Sequence, residues 1–363
     1  MSRQHLLVDR MVEQFCLDLS NLNVLTEAAS GAYKLNPLIA AKAGAKVFCV
    51  AKDSRFGSKE SIAQLLLDDA KKLGVEDNIE VIHSPFDAPL AKIDIVTNSG
   101  FVRPINHQMI TQLKKTCVIP LMWETWEFRD CDFDLDCCKE NDILCLGTNE
   151  SEPPLDMDPY AGILALKMLF DLGLEVYKNK VAIIGENRFA WRVYNYLKQA
   201  GCDVHWFSKD SYKTDRDSIR VHEFHAFRDW FSEHGESTDA VLLADLVHKE
   251  AYTDTGAFLE PEFLQAINPF IRIGVLAGVV DTDPLLDCGI TVYPERTMPA
   301  HFMSYQLYDI GPTPIMELFT AGLKVGQIMS SYRLQGLAPK EAVKASLQTS
   351  SLVMDFEGDL SWS

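Results

Sequence analysis

Positive charge is in short supply in this chain. Lys and Arg number 34 against 52 Asp and Glu, a formal net charge of -18, and a surface of that sign repels a phosphate backbone, so nucleic acid is excluded as a partner. No apolar run approaches the roughly 20 residues that a bilayer-spanning helix needs. Residues 1–10 also lack a basic segment followed by an apolar core, so no membrane partner is expected and the cytoplasm is the expected location. Cys-x-x-Cys pairs are missing too. The nine cysteines are odd in number, and Cys49, Cys117, Cys145 and Cys288 lie in strand-like apolar runs, which suits reduced thiols. Cys131, Cys137 and Cys138 among Asp132, Asp134 and Asp136 read as an acidic loop entering a helix, with no metal site expected. A hydrophobic content of 47% excludes disorder and is enough for two domain cores in 363 residues. Small molecules remain as the expected partner class.

What the chain does have is alternation. Runs rich in Val, Ile and Leu are predicted as strands at 24–28, 46–51, 79–82, 93–97, 117–122 and 143–146, with helices at 35–43, 58–73 and 106–115. A helix at 160–174 and a second series of strands at 181–184, 239–244, 271–276 and 290–293 follow. Near-continuous apolar strands separated by helices indicate an α/β protein with parallel sheets buried on both faces. Two Rossmann-like parallel-sheet domains with an interdomain cleft are expected: a flavodoxin-like substrate domain at 1–150 and a dinucleotide-binding domain at 151–311. Helices from Thr313 and Pro339, in 312–363, should fold back across both. The acidic segment 150–159, with Pro153, Pro154 and Pro159, reads as a hinge. Residues 354–363 are expected to fray.

The stretch 179–210 has the outline of a nucleotide-binding strand, turn, helix and second strand. Val181 to Ile184 lead into Gly185, and Asn187 and Ala190 stand at the other two small positions of the turn, with Arg188 opening the helix. Amides at that helix start could hold a pyrophosphate, although Asn187 puts a side chain where bare backbone usually approaches. The second strand ends Ser208-Lys209-Asp210. Ser and Lys there could accept a 2'-phosphate, whereas a carboxylate would grip a ribose hydroxyl, so the cofactor is NAD or NADP with a lean to NADP.

The run Asp94-Ile-Val-Thr-Asn-Ser-Gly100, the strand and acidic helix that follow, the Tyr160 helix and the Gly185 turn together resemble the D-2-hydroxyacid dehydrogenase and S-adenosylhomocysteine hydrolase-like superfamily, over about 93–293. The resemblance implies a substrate held against Asn98, Ser99, Gly100 and the loop at Trp123 and Glu124, with the cofactor on the second domain. It also implies an Arg in 273–281, where this chain has Ala277 before Gly278, and a Glu and His near Glu295 and His301, at altered spacing. A 2-hydroxyacid needs a cation for its carboxylate, so the missing Arg leaves the substrate open.

Several side chains are candidates for the chemistry. Arg103 is the first-domain cation expected at a strand-end loop, and Glu124, between Trp123 and Trp126, is a partly desolvated carboxylate suited to acid–base work. His248 ends a second-domain strand, where the resemblance places residues near the nicotinamide. His301 opens an aromatic and polar stretch that suits a pocket wall, with Glu295 and Arg296 upstream. His301 or His248 would carry the proton, and Glu124 and Arg103 would orient the substrate. The expected function is NAD(P)-dependent oxidation or reduction of a small polar metabolite. Two alternatives stand beside it. The turn 26–33 with Asp53 could serve an S-adenosylmethionine-dependent transferase, and the degraded glycine turn also suits a catalytically silent nucleotide sensor. The Thr313 helix could serve a homodimer as easily as a domain junction.

Overall fold

The computed structural model describes residues 3–209 and 221–362. The chain divides into two compact units, Met1–Met157 joined by Gly311–Ser363, and Asp158–Ile310. The first unit begins with α1 (Arg3–Gln14), β1 (Asn23–Ala28), α2 (Leu35–Lys42), β2 (Lys46–Ala51), α3 (Lys59–Leu73), β3 (Ile79–Ile82) and β4 (Ile95–Val96). It continues with α4 (His107–Ile110), β5 (Val118–Pro120), α5 (Leu135–Glu140) and β6 (Leu144–Thr148). The second unit holds α6 (Asp158–Asp171), β7 (Lys180–Ile184), α7 (Asn187–Gln199), β8 (Asp203–Ser208), β9 (Val221–Glu223), α8 (Phe227–His234) and β10 (Ala240–Ala244). It closes with α9 (Pro261–Ile267), β11 (Arg272–Ala277), α10 (Asp283–Asp287) and β12 (Thr291–Tyr293). The chain then returns to the first unit with α11 (Thr313–Leu334), α12 (Pro339–Thr349) and β13 (Val353–Met354).

The first sheet runs β13-β6-β5-β4-β1-β2-β3, all parallel except β13, which pairs antiparallel with β6. The second runs β12-β11-β10-β7-β8-β9 and its paired strands are parallel. Both reverse direction of growth beside their first strand, β1 or β7, as doubly wound sheets do. Burial on both faces explains why β10, Ala-Val-Leu-Leu-Ala, is apolar throughout. Alternate residues go to opposite layers. Val181, Ile183, Val204, Trp206 and Leu242 pack with α6 and α7, while Ala182, Ile184, Phe207, Val241 and Leu243 pack with the aromatic residues of α8.

In the first unit, α3 starts where Ser58 accepts the Ser61 amide and stops at Gly74, whose φ of 68° few other residues adopt cheaply. The long α11 lies on the strands β4, β5 and β6. It comes close because it shows glycine there: a Cβ on Gly326 would stand 3.0 Å from Pro120 and 3.2 Å from Ile95. At its far end the buried Arg333 donates to the carbonyls of Lys115 (2.6 Å) and Asp142 (3.0 Å).

Two expectations are corrected. The helix anticipated at 106–115 is one turn, α4, because the chain bends after Ile110 to bury Leu113 and to carry Lys114 onto Asp94 at 2.5 Å. Residues 355–362 do not fray. Phe356 and Trp362 are buried, and the Asp355 carboxylate accepts from the Ser361 hydroxyl (2.7 Å) and the Trp362 amide (3.1 Å).

Candidate functional site

In open α/β sheets, ligands dock in the crevice where strand order reverses, at the carboxyl ends of the strands. In the second unit that place lies between β7 and β10. Gly185 ends β7 there, and a Cβ on it would stand 2.2 Å from the Ala244 carbonyl oxygen at the end of β10. Ala190 is fully buried, and its methyl would lie 3.2 Å from the same Cβ. The two small residues hold α7 tight against the strand ends. The side chain of Asn187 lies outside the described residues.

Glu186 is the residue before α7 and has extended backbone, yet its side chain does not cap the helix. It reaches to the end of β8 instead, 3.6 Å from Lys209 Nζ. The leading amides of α7, and the positive end of its dipole, therefore start at the crevice without a cap from the Glu186 side chain. Arg188 pairs with Asp158, and Arg192 joins the same carboxylate at 2.5 Å. Trp206 Nε1 donates to the Gly185 carbonyl at 2.9 Å, which fixes an indole at the turn.

At the end of β8, Ser208 is buried and Lys209 is exposed. Lys209 Nζ lies 3.4 Å from His248 Nδ1 and 4.6 Å from the centre of the Phe224 ring. Asp245, which ends β10 and is buried, accepts from the amides of Val247 (2.9 Å) and His248 (3.1 Å) and from the Tyr252 hydroxyl (2.7 Å). Burial and the Asp245 charge push the Tyr252 phenol far above its usual range. Asp210 lies outside the described residues.

His301 adopts a φ of 67°, and its amide donates to Leu246 O at 2.8 Å. The amides of Ser304 and Tyr305 both meet Leu276 O, so segment 301–305 is bonded across the ends of β10 and β11. Glu295 is exposed, and its carbonyl accepts from Thr282 Oγ1 at 2.6 Å.

In the first unit the reversal lies between β1 and β4. Buried polar side chains gather there. Thr97 Oγ1 is 2.8 Å from both Thr26 Oγ1 and Ser99 Oγ, Asn36 donates to Thr26 at 3.1 Å, and Asn98 accepts the Met122 amide at 3.0 Å. Glu27, at the end of β1, accepts the Phe101 amide at 3.0 Å. Burial raises its carboxyl, against the opposing pull of the Phe101 and Gly100 amides and of Arg103. Arg103 pairs with Asp132 at 2.5 Å and lies 5.4 Å from the Trp123 ring, while Arg129 holds the same carboxylate at 3.0 Å and lies 5.2 Å from that ring. Glu124 accepts from Trp126 Nε1 at 2.6 Å and from the Glu150 amide at 3.2 Å. Burial and the Glu124 charge push its neighbour Glu127 up to about 7. Asp53 accepts the Lys59 amide at 2.8 Å. A concave pocket of this unit, lined by Pro104, Phe128, Phe133, Asp130, Asp134 and Asp136, contains none of the anticipated site residues.

The structure thus gathers Gly185, Arg188, Ala190, Ser208, Lys209 and His248 in the second unit, and Asn98, Ser99, Gly100, Arg103 and Trp123 in the first. Sequence reasoning missed Glu27, Glu127, Glu186 and Asp245. The available signal was a carboxylate directly at the end of an apolar strand, as in Leu-Thr-Glu27 and Leu-Leu-Ala-Asp245, or inside the glycine turn.

By sequence, the chain matches no family model and no curated protein. Its structure is similar to that of a dipicolinate synthase component from Bacillus halodurans, with a TM-score of 0.53 and 12% identity over 87% of this chain and 99% of that one. A protein described as a D-3-phosphoglycerate dehydrogenase from Ralstonia solanacearum gives 0.52 and 11% over 88% and 97%. The pyruvate reductase of Chlamydomonas reinhardtii gives 0.51 and 11% over 88% and 98%. The fold is that of the D-2-hydroxyacid dehydrogenase-like proteins, with two parallel-sheet α/β units.

Proposed function

We propose that this protein is an NAD(P)-dependent oxidoreductase that carries its dinucleotide on the second unit and acts on a small polar metabolite. The observation that carries this reading is the start of α7. A helix N-terminus that the Glu186 side chain does not cap stands at the strand-order reversal, behind a glycine that no larger residue could replace without displacing Ala244. Two structural neighbours bear the names of a dehydrogenase and a reductase, which supports the same class.

The α7 amides and Arg188 would hold the diphosphate, and the end of β8 would face the adenosine ribose. When bound, the nicotinamide supplies or accepts the hydride. His301, laid across the ends of β10 and β11, is the proton carrier of this reading, because its segment closes over the strand ends on the far side of β7 from Lys209. His248 adjoins Lys209 and belongs with the ribose end. In the first unit, Arg103 supplies the positive charge for an anionic group of the metabolite, with Asn98, Ser99, Gly100 and Trp123 around it and Glu124 holding the loop.

Trp206 reports on the test, since its indole is bonded to the turn itself. Titrating the protein with NADH and NADPH should give saturable energy transfer from tryptophan to the reduced nicotinamide at micromolar ligand. No transfer with either nucleotide at about 1 mM, an affinity of only ~4 kcal/mol, would remove the proposal.

A further inference from the structure

We infer that Glu186 takes the place of the ribose-binding carboxylate and that the protein selects the unphosphorylated cofactor, NAD(H). This rests on the dinucleotide reading above and reverses the lean toward NADP drawn from Ser208 and Lys209 alone.

A dinucleotide fold that binds NAD ordinarily presents an Asp or Glu at the end of its second strand. That position here is Ser208, buried at 3% exposure, followed by Lys209. A carboxylate nevertheless arrives there from another element. β7 and β8 are neighbours, with Ile184 opposite Phe207, so the residues just past them face each other across the gap between the two strand ends. Glu186 spans that gap, its side chain 17% exposed and its Oε1 3.6 Å from Lys209 Nζ. A ribose whose phosphate rested on the α7 amides would have its hydroxyls within reach of this pair.

Lys209 taken alone would welcome a 2'-phosphate. Its charge is matched by Glu186, however, and the ammonium is further held at His248 Nδ1 and over the Phe224 ring. Asp245, buried at the end of β10 and bonded to the Tyr252 hydroxyl and two backbone amides, adds a second negative charge to the neighbourhood. A phosphate dianion brought to this spot meets a partly desolvated carboxylate of the same sign, whereas a ribose hydroxyl meets an acceptor that Lys209 has already oriented. Lys209 is therefore a positioning residue for Glu186, and the two together read the 2' position.

The test is a pair of binding titrations on the intact protein, with NADH and NADPH, repeated for Glu186→Gln and Lys209→Gln after circular dichroism has shown both variants folded. Wild-type protein should bind NADH at least about tenfold tighter than NADPH, and Glu186→Gln should bring the two dissociation constants to within about threefold of each other. Lys209→Gln should widen the wild-type preference, because it removes the cation and leaves the carboxylate. Equal or tighter binding of NADPH by wild-type protein overturns the inference, as does a Glu186→Gln variant that weakens both nucleotides by the same factor. Either result leaves the dinucleotide site standing. Absence of binding by both nucleotides to wild-type protein instead overturns the oxidoreductase reading and this inference with it.

Discussion

Gly185 and Glu186 are adjacent in the chain, and one is chosen for what it lacks while the other is chosen for its reach. The Ala244 oxygen that a Cβ at 185 would meet belongs to the backbone, so no rotamer change can relieve the contact. Gly185→Ala should therefore destabilise the second unit by about 1–3 kcal/mol in urea denaturation and abolish nicotinamide energy transfer, since the ends of β7 and β10 must separate. Retained stability together with retained transfer would show that the turn tolerates the methyl. Gly185 and Ala190 were legible in the sequence because their spacing alone states their role. Glu186 was not, because a one-dimensional pattern does not say which way a side chain turns, and its partner Lys209 is brought near only by the pairing of β7 with β8. His248 shows the same limit: its place at a strand end was readable, and its contact with Lys209 was not.

At the scale of elements, α3 is tied to its neighbours through one carboxylate. Asp69, on the buried side of α3, receives Lys34 at 2.6 Å and Lys72 at 2.8 Å, with His5 of α1 at 3.4 Å. Burial opposes its ionisation, but the two lysines outweigh that and bring it down to about 2. A carboxyl held below its unfolded value stabilises the fold above the unfolded pKa, and that contribution is lost as pH falls toward 2. Asp69→Asn should accordingly cost about 1–3 kcal/mol at pH 7 and much less near pH 2, measured by denaturant melts at both values. An equal loss at both would assign the effect to packing.

Strands β2 and β3 match their sequence-derived bounds because turn and polar residues close them on either side. β4 and β5 are shorter than the apolar runs that contain them, although the Thr97 and Leu121 amides still donate to Leu25 O (3.0 Å) and Leu146 O (2.9 Å) just past the strand ends. Periodicity records burial. It does not record where a buried chain stops pairing, nor that a tail with three acids and two aromatics is pinned by Asp355.

At the scale of the whole molecule, all nine cysteines are free thiols, and only Cys16 and Cys131 are exposed, with Cys288 between. Burial raises the thiols of Cys49, Cys117, Cys138 and Cys145, which disfavours the reactive thiolate. Titration with an aromatic disulfide reagent should find two fast thiols and one slower one in native protein and all nine after unfolding. A lower final count would mean that a disulfide forms. The reduced state was readable from the odd number of cysteines and the apolar company they keep.

The return of α11 and β13 to the first sheet sets an order of events during synthesis. Six strands of that sheet leave the ribosome with the face that α11 covers still open and the edge that β13 joins still bare. The whole of Asp158–Ile310 is translated before those covers arrive, and as one continuous stretch it can close on its own. The unit begun first is finished last, and the nascent chain must keep its exposed apolar surface from aggregating until residue 334 and beyond have emerged.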